Sequence, residues 1–164
     1  MDVTIERALI NEKEVVVSLF NYYLYEFSDL TGSLLNENGT YLRNTSLIDP
    51  YWAEPNHLPY FIKVNGEIAG FIFVRYFPDE EELLDIDQFF ILRKFKRLGV
   101  GSKAFKLCLA AHNGNWLVRV LKENQSGLSF WQNVIGSVTN NNFKHAFEFD
   151  QGTEMHFFRF SYGS

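Results

Sequence analysis

One cysteine, Cys108, stands in 164 residues. A lone thiol excludes an internal disulfide, and with it the disulfide scaffolds of small secreted domains. Histidines are few: His57, His112, His145 and His156 are scattered and show no metal-ligand spacing, so no metal is expected. Long apolar runs are missing as well. The longest, around residues 68–77, is too short to cross a bilayer, and no membrane contact is expected. The N-terminus, "MDVTIERALI", has no basic stretch followed by an apolar one and does not read as a signal peptide. A soluble, reducing, cytoplasmic setting is expected. Basic charge is in deficit: 15 Lys and Arg face 20 Asp and Glu, a formal charge of −5. A general nucleic-acid binder carries a basic face, so no nucleic acid is expected as a partner.

What is present suffices for a core. Hydrophobic residues make up 46% and aromatic residues 17% of the chain, which excludes disorder as its character. The length suits one domain, residues 1–164, and no repeat or linker interrupts it. Alternation over residues 2–9 predicts a short strand. Val16, Phe20, Tyr23, Leu24 and Phe27 recur at helical spacing and predict a helix over 12–28. Turn formers then dominate, with a short helix near 47–53. Asn65-Gly66 separates two strand-like runs, 58–64 and 67–77, and supplies the positive φ angles of a tight hairpin. A third strand is expected at 83–92, a helix at 101–112, a strand at 116–121 and a second helix at 125–135. The C-terminal segment gives "SVT", an Asn-rich turn at 140–142 and a last strand near 154–160. This order implies a mixed α/β sheet with helices on both faces.

The stretch "FFILRKFKRLGVGSKAFKLCLAAH", residues 89–112, concentrates positive charge in an acidic chain. Arg93, Lys94, Lys96 and Arg97 precede Gly99 and Gly101, and an amphipathic helix follows. Helix-start amides have no intrahelical partner and carry partial positive charge, so they bind anions. Glycine lets a phosphate approach the backbone, and Lys96 and Arg97 add charge-assisted contacts. The alternative is a plain turn beside a solvated basic surface. The Walker pattern is absent. "GVGSKA" fits the G-x-G-x-x-A dinucleotide pattern, with Glu123 about twenty residues on. Against that stand the antiparallel hairpin before it and the short chain after it.

"KRLGVG" resembles the acyl-CoA signature of the GNAT N-acetyltransferases, [Q/R]-x-x-G-x-[G/A], with Lys96 where Gln or Arg is usual. "NQSGLSFWQNVI" is similar to the family's N-x-x-A-x-x-F-[Y/W] element, and the strong part of the resemblance covers residues 60–135. It implies a GNAT-like, mostly antiparallel central sheet and acetyl-CoA as acyl donor. It also implies that the strand "FFIL" splays from its neighbour, so that the backbone of Phe90, Ile91 and Leu92 meets the pantetheine arm, with Ile91 nearest the thioester. Lys96, Arg97, Leu98, Gly99, Val100, Gly101 and Ser102 then form the diphosphate cradle. Asn124 and Trp131 contact the cofactor, Gly127 takes the small-residue place, and Trp131 stands where many members have a proton-donating Tyr.

The expected activity is transfer of an acetyl group to a primary amine of a small molecule or protein. A non-catalytic acyl-CoA-binding module of the same fold is the alternative, and a homodimer stays open. Amides at Phe90–Leu92 suit the carbonyl oxygen. An alkylammonium has a pKa near 10, so a carboxylate must take its proton. By family spacing this is Asp85, with Asp87 one step nearer. Strand alternation puts Asp85, Asp87, Phe89 and Ile91 on one face, and pairing of the acids with Arg75 or Arg119 is the competing reading. Tyr22, Tyr25, Glu26, Tyr41 and Trp52 are candidates for the acceptor side. Cys108, on the apolar face of its helix, reads as core.

Overall fold

The computed structural model describes residues 1–163. Seven strands form one sheet: β1 (Val3–Arg7), β2 (His57–Val64), β3 (Glu67–Tyr76), β4 (Leu83–Ile91), β5 (Gly114–Leu121), β6 (Lys144–Asp150) and β7 (Thr153–Tyr162). Their order across the sheet is β1-β2-β3-β4-β5-β7-β6. Every neighbouring pair is antiparallel except β4 and β5, which run parallel. The crossover that parallel strands require is helix α3 (Val100–Ala111). This mixed sheet is the expected α/β architecture, and its antiparallel majority excludes a doubly wound dinucleotide fold.

Local chemistry explains the elements. Asn65 and Gly66 have φ of 49° and 82°, the two left-handed positions of a tight hairpin turn, and Val64 pairs with Glu67 across it. Helix α1 (Lys13–Thr31) runs one turn beyond the apolar periodicity and stops at Gly32, whose φ is 69°. The short helix α2 (Pro50–Ala53) opens with proline, whose missing N–H costs nothing there. Helix α4 (Gln125–Thr139) absorbs "SVT", the segment set apart from it above. Asn140 and Asn141, both with positive φ, then end the helix, and β6 and β7 form a C-terminal hairpin. The sequence pattern does not reveal β6 because it is an edge: its Phe147 and Phe149 are exposed, so no buried face disciplines its alternation.

Two cores lie on opposite faces of the sheet. Helices α3 and α4 cover one, around Ile72, Ile86, Phe105, Trp116 and Phe158. Helices α1 and α2 cover the other, around Val16, Phe20, Tyr51, Phe71 and Phe73. Cys108 is fully buried and burial pushes its thiol up to about 12, as a core residue and not a nucleophile. Among the described residues no helix is long and apolar enough to cross a membrane.

Candidate active site

The site begins as a gap in the sheet. β4 and β5 pair only from Leu83–Asn115 to Ile86–Val118, yet β4 continues to Ile91 and β5 to Leu121. Their last residues diverge, the splay expected of "FFIL". A bulge coincides with the divergence. Phe73 pairs with Gln88 and Val74 with Ile86, which leaves Asp87 without an opposite residue. One extra residue re-aims every side chain beyond it. Phe89 and Ile91 pack on the α3–α4 side, while Phe90 packs against α1. Strict alternation therefore fails, and neither acid shares a face with Ile91.

The backbone along the gap is also sorted. The Leu92 amide donates to the Ala69 carbonyl at 2.8 Å. Leu92 is thus withdrawn from the oxyanion role expected of Phe90–Leu92, and by alternation Phe90 also turns to β3. Ile91 alone of the three aims its N–H into the gap. Gly70 makes this possible, since any β-carbon there would collide with the Phe90 carbonyl.

Between the C-terminal half of α1 and the starts of α3 and α4 lies a groove of about 960 Å³. Phe95 is buried and anchors the basic loop beneath it. Arg97 and Gly99, with φ of 61° and 78°, turn the chain so that α3 starts at the groove. The first helical bond runs from the Lys103 amide to the Gly99 carbonyl at 3.1 Å. The amides of Val100, Gly101 and Ser102 precede it, and no side chain caps the helix. Gly99 lines the groove, and nothing lies within 4 Å of where its β-carbon would stand. Gly101 has a different reason: a β-carbon there would come 3.2 Å from the Phe130 ring. Leu98 does not line the groove and is exposed.

Lys96 faces the groove but holds Glu26 of α1 at 2.6 Å. Asn124 is the N-cap of α4, accepting from the Gly127 amide at 3.0 Å. Its side chain folds over Gly127, which is why that place must be small. Trp131 stands edge-on to Phe89 and Phe105, ring centroids 5.0 and 5.1 Å away.

On the α1 side a smaller cavity of about 290 Å³ opens at the same gap, sharing Phe27, Phe89, Asn124 and Trp131 with the groove. Tyr23, Leu24 and Phe27 line it, and Tyr23 and Leu24 pack against the α1–α2 core as well. Gln88, which accepts from the Tyr23 hydroxyl at 2.7 Å, has no signal in the sequence: only the bulge brings it inward. The acceptor candidates fare unevenly. Tyr25 and Glu26 line the larger groove, and Tyr41 packs near Tyr25 without lining either space. Tyr22 is exposed, and Trp52 donates its ring N–H to the Ala8 carbonyl as a structural tie.

The two acids separate. Asp85 is 0% exposed and lines neither space. Its Oδ1 accepts from Arg119 Nε at 3.2 Å, and its Oδ2 from Arg119 Nη2 at 2.8 Å and Arg75 Nε at 3.1 Å. Enclosed this way it lies away from both spaces an amine could enter, which argues against the role of base expected of it. Burial pushes its carboxyl upward against the pull of Arg119. Burial works to lower Arg119, but the Asp85 carboxylate overrides it and holds the guanidinium above its ordinary value. Asp87 does line the cavity. It accepts from Arg119 Nη2 at 3.1 Å and from the Tyr51 hydroxyl at 2.5 Å. Burial, with Asp87 adding, raises both Tyr51 and Tyr23, so both phenols stay protonated donors. A phenol so raised is a poor proton source for a thiolate, and Trp131 has none to give.

No curated protein matches the chain. Its fold is shared by an acetyltransferase from Thermus thermophilus, at 15% identity and a TM-score of 0.72 over 98% of this chain and 97% of that one. The aminoglycoside acetyltransferase AAC(6')-Ib in complex with coenzyme A aligns at 11% identity and a TM-score of 0.70, covering 98% and 95%. The PaiA N-acetyltransferase from Thermoplasma acidophilum, also in complex with coenzyme A, aligns at 13% and 0.62, covering 99% and 100%. A family model described as the Acetyltransferase (GNAT) family matches residues 23–136, the segment from mid-α1 through α4 that builds both sides of the gap. With that match over more than half its length, this chain belongs to the GNAT acetyltransferase family.

Proposed function

We propose that the chain is an N-acetyltransferase that moves the acetyl group of acetyl-CoA to a primary amine by direct attack. One observation carries the reading: a groove with an unpaired helix start and a cavity with a carboxylate meet at a single gap in the sheet. The residues fit the donor. The amides of Val100, Gly101 and Ser102, with Lys96 and Arg97 beside them, suit a diphosphate. For Lys96 this requires exchanging Glu26 for the ligand. Bound acetyl-CoA supplies a thioester, an acyl group activated for attack. The Ile91 N–H, aimed into the gap, stabilises developing negative charge on a carbonyl oxygen. Asp87, directly or through water, takes the proton that the amine nitrogen loses. As the C–N bond forms the C–S bond breaks and CoA leaves as a thiolate, tolerable without a donor because an ordinary thiol has a pKa of about 8.5. Arg75, Arg119 and Asp85 hold Asp87 in place. A cytoplasmic setting suits the lone, buried thiol.

The non-catalytic acyl-CoA-binding module is the second reading, and Trp131 in the proton donor's place favours it. The two separate in one experiment, with acetyl-CoA binding followed by calorimetry and CoA release followed with a panel of amines. We expect binding together with amine-dependent release. Binding with no release on any amine establishes the module instead.

A further inference from the structure

We infer, on the acetyltransferase reading, that the acceptor is a small amine carried on an apolar group, a single-ring arylalkylamine or an alkylamine, and not a polyamine or a lysine-rich peptide. The cavity wall is the reason. Tyr23, Leu24, Phe27, Phe89, Trp131 and Met155 give it an aromatic and apolar side, and its polar side is Thr31, Asp87, Gln88, Arg119 and Asn124. Asp87 is its one carboxylate among the described residues. That charge is already met by Arg119 at 3.1 Å and approached by Arg75 at 3.4 Å. One amine, losing its proton as it reacts, can be served by Asp87. A second ammonium on the same molecule would find no second carboxylate in the cavity, Arg119 as a like charge, and the Gln88 and Asn124 oxygens already accepting from Tyr23 and Gly127.

Aromatic faces attract a cation, but weakly beside an ion pair, and they serve the reacting nitrogen first. The volume agrees: about 290 Å³ encloses one ring and a short chain, not an extended polycation. The mouth agrees too. Leu47 lines the cavity and is 51% exposed, and the segment between the lining residues Thr31 and Leu47 exposes Leu34 and Leu35. At Leu47 itself an apolar substituent leaving the cavity meets an apolar side chain, and the carboxylate two residues on, Asp49, is paired with Lys13.

The test uses the full chain with acetyl-CoA and follows CoA release with phenethylamine, hexylamine, spermidine and a lysine-rich peptide. We expect kcat/KM for the two apolar amines to exceed that for spermidine and the peptide by about tenfold or more. Leu47→Asp then places a carboxylate at the mouth, at an exposed position the fold tolerates. It should move the hexylamine-to-spermidine ratio toward spermidine by about tenfold. Spermidine or the peptide preferred by the unaltered protein overturns the acceptor class and leaves the acetyltransferase reading intact. So does a ratio that Leu47→Asp leaves unmoved. Acetyl-CoA binding without turnover of any of the four overturns both.

Discussion

Asp85→Ala will unfold at a melting temperature roughly 6–20 °C below that of the unaltered protein, a loss of about 3–5 kcal/mol. Asp85 is 0% exposed, and both its oxygens are held by guanidinium groups at 2.8–3.2 Å. Removing it leaves the largely buried Arg119 and the partly buried Arg75 underpaired. Asp87 and Asp150 remain as partners, Asp150 at 2.6 Å from Arg119, and keep the loss from being larger. The effect is therefore on folding first, and thermal and urea unfolding both read it. An Asp85→Ala protein that melts within about 2 °C of the parent but has lost turnover would return this residue to the role of base, and the ion-pair account would be wrong.

Asp87→Asn should lower kcat/KM at neutral pH by about 10²–10⁴-fold, the usual worth of a positioned base. Acetyl-CoA affinity should stay within about twofold, because Asp87 lines the acceptor cavity and not the groove. The pH profile separates a base from a brace. An alkylamine with a pKa near 10 gains about tenfold in neutral form per pH unit below that value. The variant depends on that neutral fraction, so its deficit should narrow as pH rises from about 7 to 9. A brace lost through misplaced Arg119 or Tyr51 would leave a deficit that pH does not repair. Equal activity of variant and parent across pH contradicts the assignment.

Much of the fold follows from local chemistry. Asn65-Gly66 predicts its hairpin because few pairs accept two positive φ angles. The parallel step between β4 and β5 follows from a helix placed between two strands. The proposed cradle is legible for the same reason: basic residues, two glycines and a helix start are consecutive in the chain. The acid is not. Alternation treats Asp85 and Asp87 as equivalent, and only the unpaired residue opposite the Phe73–Val74 step shows that they differ. A bulge depends on what the neighbouring strand does, so one strand's pattern does not contain it. Tyr23, Leu24 and Phe27 predict a helix but not the cavity, because a stripe on a helix looks the same whether it meets a sheet or a cavity. Tyr41 sits in a loop, and loop side chains carry no periodicity to orient them.

Calorimetric titration of acetyl-CoA into the parent protein and into Ser102→Asp tests the cradle most directly. A carboxylate at a helix start favours the helix, so the variant should melt no lower than the parent. The same carboxylate stands among the amides assigned to the diphosphate, so affinity should fall by about 30-fold or more, the equivalent of roughly 2 kcal/mol. A variant that binds acetyl-CoA as tightly as the parent would show that the ligand's phosphates lie elsewhere.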